Sequence, residues 1–303
     1  MCCGSPPSLP RWKQSLRKKR RRTFLLNLIH PRRKVVGVSA HPPAAYVHTP
    51  STTCSDETMR QQQDAFGNAL FDAYRHRDVC AVIERDDGYL DSDRSLKTYF
   101  AGYAKWACVE QRAVQCAKGR VLDIGAGAGR HSLYLQDKGL RVTAIDVSPT
   151  AVKLCRLRGI KDARVKAIAQ LNPKDGTFDT ILMLGNNFGL FGSFTGAKRL
   201  LKKLAGCTTA DAQLLAEILD PYKTTDPNHL AYHKRNHRRG RMIGQLRIRV
   251  RYKQYATPWF DYLFVSEAEL RRILAGTGWE IGDLFRGDSP NYFVRLVKIK
   301  KQQ

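Results

Sequence analysis

The residues best suited to chemistry stand between positions 121 and 148. The string VLDIGAGAGR fills residues 121–130. Gly125, Gly127 and Gly129 alternate with Ala126 and Ala128, so the chain can bend tightly and a ligand can approach the backbone with little side chain in the way. The apolar run before the bend reads as a buried strand. The helix expected after it would aim its free N–H groups at the same spot. Asp146 closes the next expected strand, 21 residues after Gly125. A carboxylate at a strand tip can accept both hydroxyls of a ribose. Dinucleotide sites share this much, but the G-x-G-x-x-G pattern fails here, because its sixth position is Arg130. Asp123, two residues before the first glycine, would repel a diphosphate and suits a ligand carrying an ammonium and a sulfonium.

Other residues are candidates on spacing. His229, His233 and His237 recur at steps of four, with Asp220 and Tyr222 just upstream. The plain reading is a solvated polar helix; the sharper one makes His229, His233 or Tyr222 a general base. With no carboxylate or cysteine interleaved, no metal is expected. Tyr99, Tyr103 and Trp106 read first as core, and second as aromatic cover over a ligand. Arg247, Arg249 and Arg251 alternate with Ile248, Val250 and Tyr252. That pattern is a strand with one solvated face, or, if Arg249 turns inward, a wall that reads an anionic acceptor.

The elements that must position these residues alternate. Strands are expected at residues 121–124, 141–145, 163–168, 178–184 and 213–219, with helices at 131–138, 148–157 and 197–204 between them. This is the signature of a parallel sheet covered on both faces. Residues 245–252 and 260–265 read as an antiparallel pair, 267–274 as a helix, and 279–285 and 292–299 as two closing strands. Residues 65–74 and 96–116 have helical spacing. The fold class expected is α/β: a Rossmann-like seven-stranded sheet with an antiparallel last strand, a helical N-terminal cap and a β insertion. The expected division is a basic leader at 1–58, the cap at 59–118 and the main domain at 119–303, with the insertion at 221–262.

VLDIGAGAGR resembles motif I of class I methyltransferases, and AIDVS at residues 144–148 resembles their acidic-loop motif. Residues 71–292 are similar to a group of bacterial-type methyltransferases with no assigned substrate, through ERDDGY at 84–89, MLGNN at 183–187, GRM at 240–242 and TPWFDY at 257–262. The resemblance implies S-adenosyl-L-methionine as cofactor. Asp123 and the backbone of Gly125, Ala126, Gly127 and Gly129 would hold its methionine part, Asp146 its ribose and Val147 its adenine. Gly185 and Asn186 would complete the cofactor site. Tyr99, Tyr103, Asn187 and Arg249 are the candidates for the acceptor. Two departures stand out. No acidic residue follows the third strand, where only Gln170 offers an amide. GNNFG at 185–189 is not the [DN]-P-P-[YF] of amino-methylating nucleic-acid enzymes.

Composition sets the outer bounds. The 303 residues carry a net charge of +25. Eleven Lys and Arg, and no acid, lie in residues 1–55, including RKKRRR at 17–22. That leader reads as irregular chain, with Met59 as an alternative start. Nucleic-acid binding through the basic run and a lipid-plus-charge anchor at Cys2 and Cys3 are the sharper readings. No run of eighteen apolar residues is present, so no transmembrane helix is expected. The eight cysteines form no C-x-x-C pair and read as reduced thiols of a cytoplasmic protein. The function expected is methyl transfer to a small-molecule acceptor. RNA or protein methylation and a non-catalytic cofactor-binding regulator are the alternatives.

Overall fold

The computed structural model describes residues 61–93, 96–287 and 289–300. The expected leader therefore lies outside the described residues. Seven strands form the main sheet: β3 (Arg120–Ile124), β4 (Arg141–Asp146), β5 (Ala163–Val165), β6 (Phe178–Met183), β7 (Thr208–Leu219), β11 (Trp279–Arg286) and β12 (Asn291–Lys298). Their order is β11-β12-β7-β6-β3-β4-β5. The pairs among β3 to β7 are parallel, while β12 runs antiparallel to both β7 and β11. The chain order reverses between β3 and β6, and open α/β sheets bind ligands beside such a reversal. β3 and β6 are almost wholly buried because helices cover both faces.

The helices start where the sequence supplies caps. In α4 (Pro149–Leu157) the Ser148 hydroxyl accepts from Ala151 N at 2.9 Å, and Pro149 takes the first turn. In α5 (Phe194–Ala205) Ser193 accepts from Gly196 N at 3.1 Å. In α7 (Glu267–Leu274) Ser266 and Glu269 cap each other's backbone. Trp279 is buried beneath α5 and donates its indole N–H to Leu201 O at 3.0 Å. α3 (Arg130–Asp137) follows the glycine bend directly.

A second sheet faces the carboxyl ends of the first. It joins β1 (Ala81–Arg85) and β2 (Leu90–Asp93) to β8 (Gln245–Tyr252), β9 (Tyr255–Ala256) and β10 (Phe260–Leu263). β8 and β10 pair antiparallel, as their patterning predicts. The hairpin β1–β2 is an addition to the expected helical cap. It pairs with β8 some 165 residues downstream, a partner that local spacing cannot announce. Residues 96–116 do not form one helix. They make 3-10 turns at Leu96–Phe100 and Tyr103–Lys105 and then α2 (Cys108–Gln115), because Gly102, Trp106 and Ala107 are extended. α1 (Ala65–Tyr74) packs on α4, where Asp64 Oδ1 caps α1 and accepts from the Ser148 hydroxyl at 2.6 Å. α6 (Pro227–Arg238) is the expected histidine-bearing helix, started by Asp226 and Pro227.

The two sheets meet tightly at Gly189. A Cβ there would lie 2.1 Å from the Tyr262 ring, which is buried. Gly189→Ala should cost about 1–3 kcal/mol. A thermal melt should register the loss, and an unchanged midpoint would mean the contact is slack.

Candidate functional site

The glycine bend is tied down on every side. Gly125 N and Ala126 N both donate to Ile145 O, at 2.9 and 3.1 Å. Gly127 N donates to Asp146 Oδ2 at 2.9 Å, and Ser148 N donates to Asp146 Oδ1 at 2.9 Å. Gly125, Gly127 and Gly129 all have positive φ, which an ordinary side chain would strain. The buried Cys155 thiol donates to Gly127 O at 3.3 Å. Burial pushes Asp146 up to about 6, against the two backbone donors that favour its charged form.

Beside the bend lies a cavity of about 790 Å³. Its floor is the tips of β3, β4 and β6, with Gly125, Ala126, Gly127, Asp146 and Val147. Its far wall is the second sheet, with Ile83, Ile248, Val250 and Phe260. A volume of that size takes a nucleoside cofactor together with a small partner.

Two buried charged groups underlie one end. Glu110 is 1% exposed; it bonds Arg130, and its Oε1 lies 3.2 Å from His131 Nε2. Burial alone would raise this carboxyl, but His131 and the Arg130 charge outweigh it and hold it low. Glu217, at 0% exposure, accepts from Gly185 N at 2.9 Å and from Asn291 Nδ2 at 2.6 Å. Burial, helped by the Glu110 charge, pushes it up to about 7.

Comparison with known proteins decides what this architecture is. Residues 121–209 match a family profile described as a methyltransferase domain. An S-adenosylmethionine-dependent methyltransferase from Bacteroides fragilis, solved with S-adenosyl-L-homocysteine, is 28% identical. It superposes with a TM-score of 0.70, over 82% of this chain and 100% of that one. The chain carries a class I methyltransferase domain. A Methanosarcina mazei methyltransferase, 18% identical with a TM-score of 0.51, shares the fold over 65% of this chain and 99% of that one. A ubiquinone biosynthesis O-methyltransferase of Xanthomonas euvesicatoria is 38% identical over 74 residues. That match spans 22% of this chain and only 31% of the relative.

Within the methyltransferase domain the sequence-derived candidates separate. Gly125, Ala126, Gly127, Asp146, Val147, Gly185, Asn186, Asn187 and Tyr99 line the cavity. Asp123 does not. It is buried and accepts from the Ser132 hydroxyl at 2.6 Å, which ties β3 to α3. Gly129 is also off the wall, packed against Ile160 and Cys155. Tyr103 stacks on Tyr134 at 4.7 Å and belongs to the core. Asn187 donates to Ile124 O and Gly125 O, at 2.9 and 2.8 Å, and braces the bend.

The candidate bases lie elsewhere. His229 is buried against Arg85, with Nδ1 3.0 Å from that guanidinium, and burial with the Arg85 charge pushes it down to about 4. His233 sits on the same helix, outside the cavity, where burial lowers it too. Tyr222 is bonded to Glu269 at 3.3 Å, beside a separate shallow depression that also holds His237. Arg249 is pinned to Glu84 at 2.8 and 3.1 Å, lies over the Trp259 ring and is off the cavity lining; Arg247 of the same strand lines the cavity.

The sequence reading missed Asp64, Glu110, Arg130 and His131, all on the cavity wall. Arg130 and His131 directly follow the glycine run, which was the available signal. Among the described residues no helix is long and apolar enough to cross a membrane.

Proposed function

We propose that the protein transfers the methyl group of S-adenosylmethionine to a small-molecule acceptor held between its two sheets. The observation that carries this reading is the single cavity running from the Asp146 tip to the apolar face of β8. Asp146 keeps free lone pairs for the two ribose hydroxyls after bonding Gly127 and Ser148. Val147 and Ile168 offer apolar contact for adenine, and the bare bend at Gly125, Ala126 and Gly127 leaves room for the methionyl chain. At the strand tip itself the Asp146 carboxylate faces the place of the nucleoside sugar, while Glu110 on the same lining is paired with Arg130. The cofactor supplies an electrophilic methyl; the protein's part is alignment and the exclusion of water.

The small-molecule reading is supported by the apolar wall and by the O-methyltransferases among the relatives. In this reading residues 59–118 and the insertion 221–262 build the acceptor wall onto the domain at 119–303, and residues 1–58 take no part in catalysis. The described cysteines, all free thiols, agree with a reducing cytoplasm. The test is transfer of tritiated methyl from S-adenosylmethionine into a cell extract split into small-molecule, RNA and protein fractions. Label is expected in the small-molecule fraction. Label confined to RNA or protein would overturn the acceptor class.

A further inference from the structure

Resting on that reading, we infer that the acceptor is a flat molecule bearing an aromatic hydroxyl, and that the Asn186 carboxamide orients this hydroxyl toward the cofactor. Asn186 is 1% exposed, and neither Oδ1 nor Nδ2 has a hydrogen-bond partner. Leaving both atoms unpaired is costly, and a native wall that tolerates it points to a partner arriving with a ligand. The residue is held where it stands. It sits at φ +66°, its carbonyl accepts from the Tyr262 hydroxyl at 2.7 Å, and the preceding Gly185 N–H is held by Glu217.

Its surroundings separate cofactor from acceptor. Neighbouring Asn187 is spent on the cofactor bend, whereas Asn186 lies where β6 meets Tyr262 of the second sheet. On that side the cavity offers Ile83, Ile248, Val250, Trp259 and Phe260, apolar surfaces that take a ring, beside Arg247 and Asp261, which are paired with each other at 3.5 Å. A hydroxyl both donates and accepts, so it satisfies either amide atom. In the transfer, the acceptor oxygen forms its bond to the methyl carbon as the carbon–sulfur bond breaks. The bonding pair returns to sulfur, leaving S-adenosylhomocysteine, and the hydroxyl proton is released to bulk solvent outside the reacting centre.

The test uses the full chain saturated with S-adenosylhomocysteine, titrated with 2-naphthol and with 2-methylnaphthalene, its near-isostere lacking the hydroxyl. Wild type should prefer 2-naphthol by about tenfold or more. Asn186→Gly tolerates the positive φ and removes both amide atoms, whereas Asn186→Asp keeps an acceptor and removes the donor. Asn186→Gly should erase most of that preference, Asn186→Asp should retain it, and both should leave S-adenosylhomocysteine affinity within about twofold. Equal binding of the two probes by wild type would overturn the inference. So would a large loss of S-adenosylhomocysteine affinity in Asn186→Gly, which would give the amide to the cofactor. No S-adenosylhomocysteine binding by wild type would remove the proposed function itself, and this inference with it.

Discussion

Asp146→Ala is expected to weaken S-adenosylmethionine binding by about a hundredfold or more, since two hydrogen bonds to a charged acceptor are lost at about 1.5–3 kcal/mol each. The same substitution leaves Gly127 N and Ser148 N without their acceptor and loosens the bend. Asp146→Asn, which keeps one acceptor oxygen, should fall between that and wild type. Acidity gives an independent reading. Burial holds the free carboxyl at about 6. The ribose hydroxyls donate to the charged form, so protonation competes with binding. Affinity should be flat above about pH 7 and decline as pH falls through 6, with proton release on binding in that range. The Asn variant should lose this pH dependence. Calorimetry at several pH values reads both effects, and a wild-type affinity that does not vary with pH would detach Asp146 from the ribose.

Glu110→Leu is expected to damage the fold severely. Glu110 holds the Arg130 guanidinium, whose side chain is 12% exposed, and touches His131, at 10%. Removing one partner strands a nearly buried cation, at about 3–5 kcal/mol. For a domain of this size that lowers the melting midpoint by on the order of 10 °C. The folded carboxyl lies below its ordinary value, so its stabilisation is present above about pH 4.5 and is lost as pH falls through the folded value. Glu280→Ala, at an exposed site, should shift stability by less than about 0.5 kcal/mol. If both variants melt together with wild type, the buried cluster contributes nothing.

What the sequence disclosed follows how local each feature is. The bend at Gly125, the strand tip at Asp146 and the cap at Ser148 each rest on a few consecutive residues, so their positions were readable. The parallel sheet followed from the alternation of elements, and the antiparallel β12 from the closing hairpin, but the order of the strands was not read. Asp123 was expected on the cavity wall and lies off it, because nearness to the glycine run says nothing about which way a strand residue points. Successive side chains leave opposite faces, and this one goes toward α3. The three histidines of α6 were rightly placed on one helix, but spacing along a helix does not fix what the helix faces. His229 meets Arg85, 144 residues away. Glu110, Glu217 and Asn291 were invisible for the same reason: Glu217 and Asn291 are 74 positions apart and meet only because β12 lies against β7. Asn186 was read as a cofactor ligand from its position after β6. Only the absence of any partner for its amide separates it from Asn187.

The central claim is that the cavity beside Asp146 accepts a sulfonium nucleoside and refuses a dinucleotide. Calorimetric titration of the full chain with S-adenosylmethionine, and in parallel with a nicotinamide dinucleotide, tests it most directly. Saturable one-to-one binding of the first in the micromolar range, roughly −8 kcal/mol, with no heat from the second, is the result expected. Binding of the dinucleotide, with none of S-adenosylmethionine, would contradict the account.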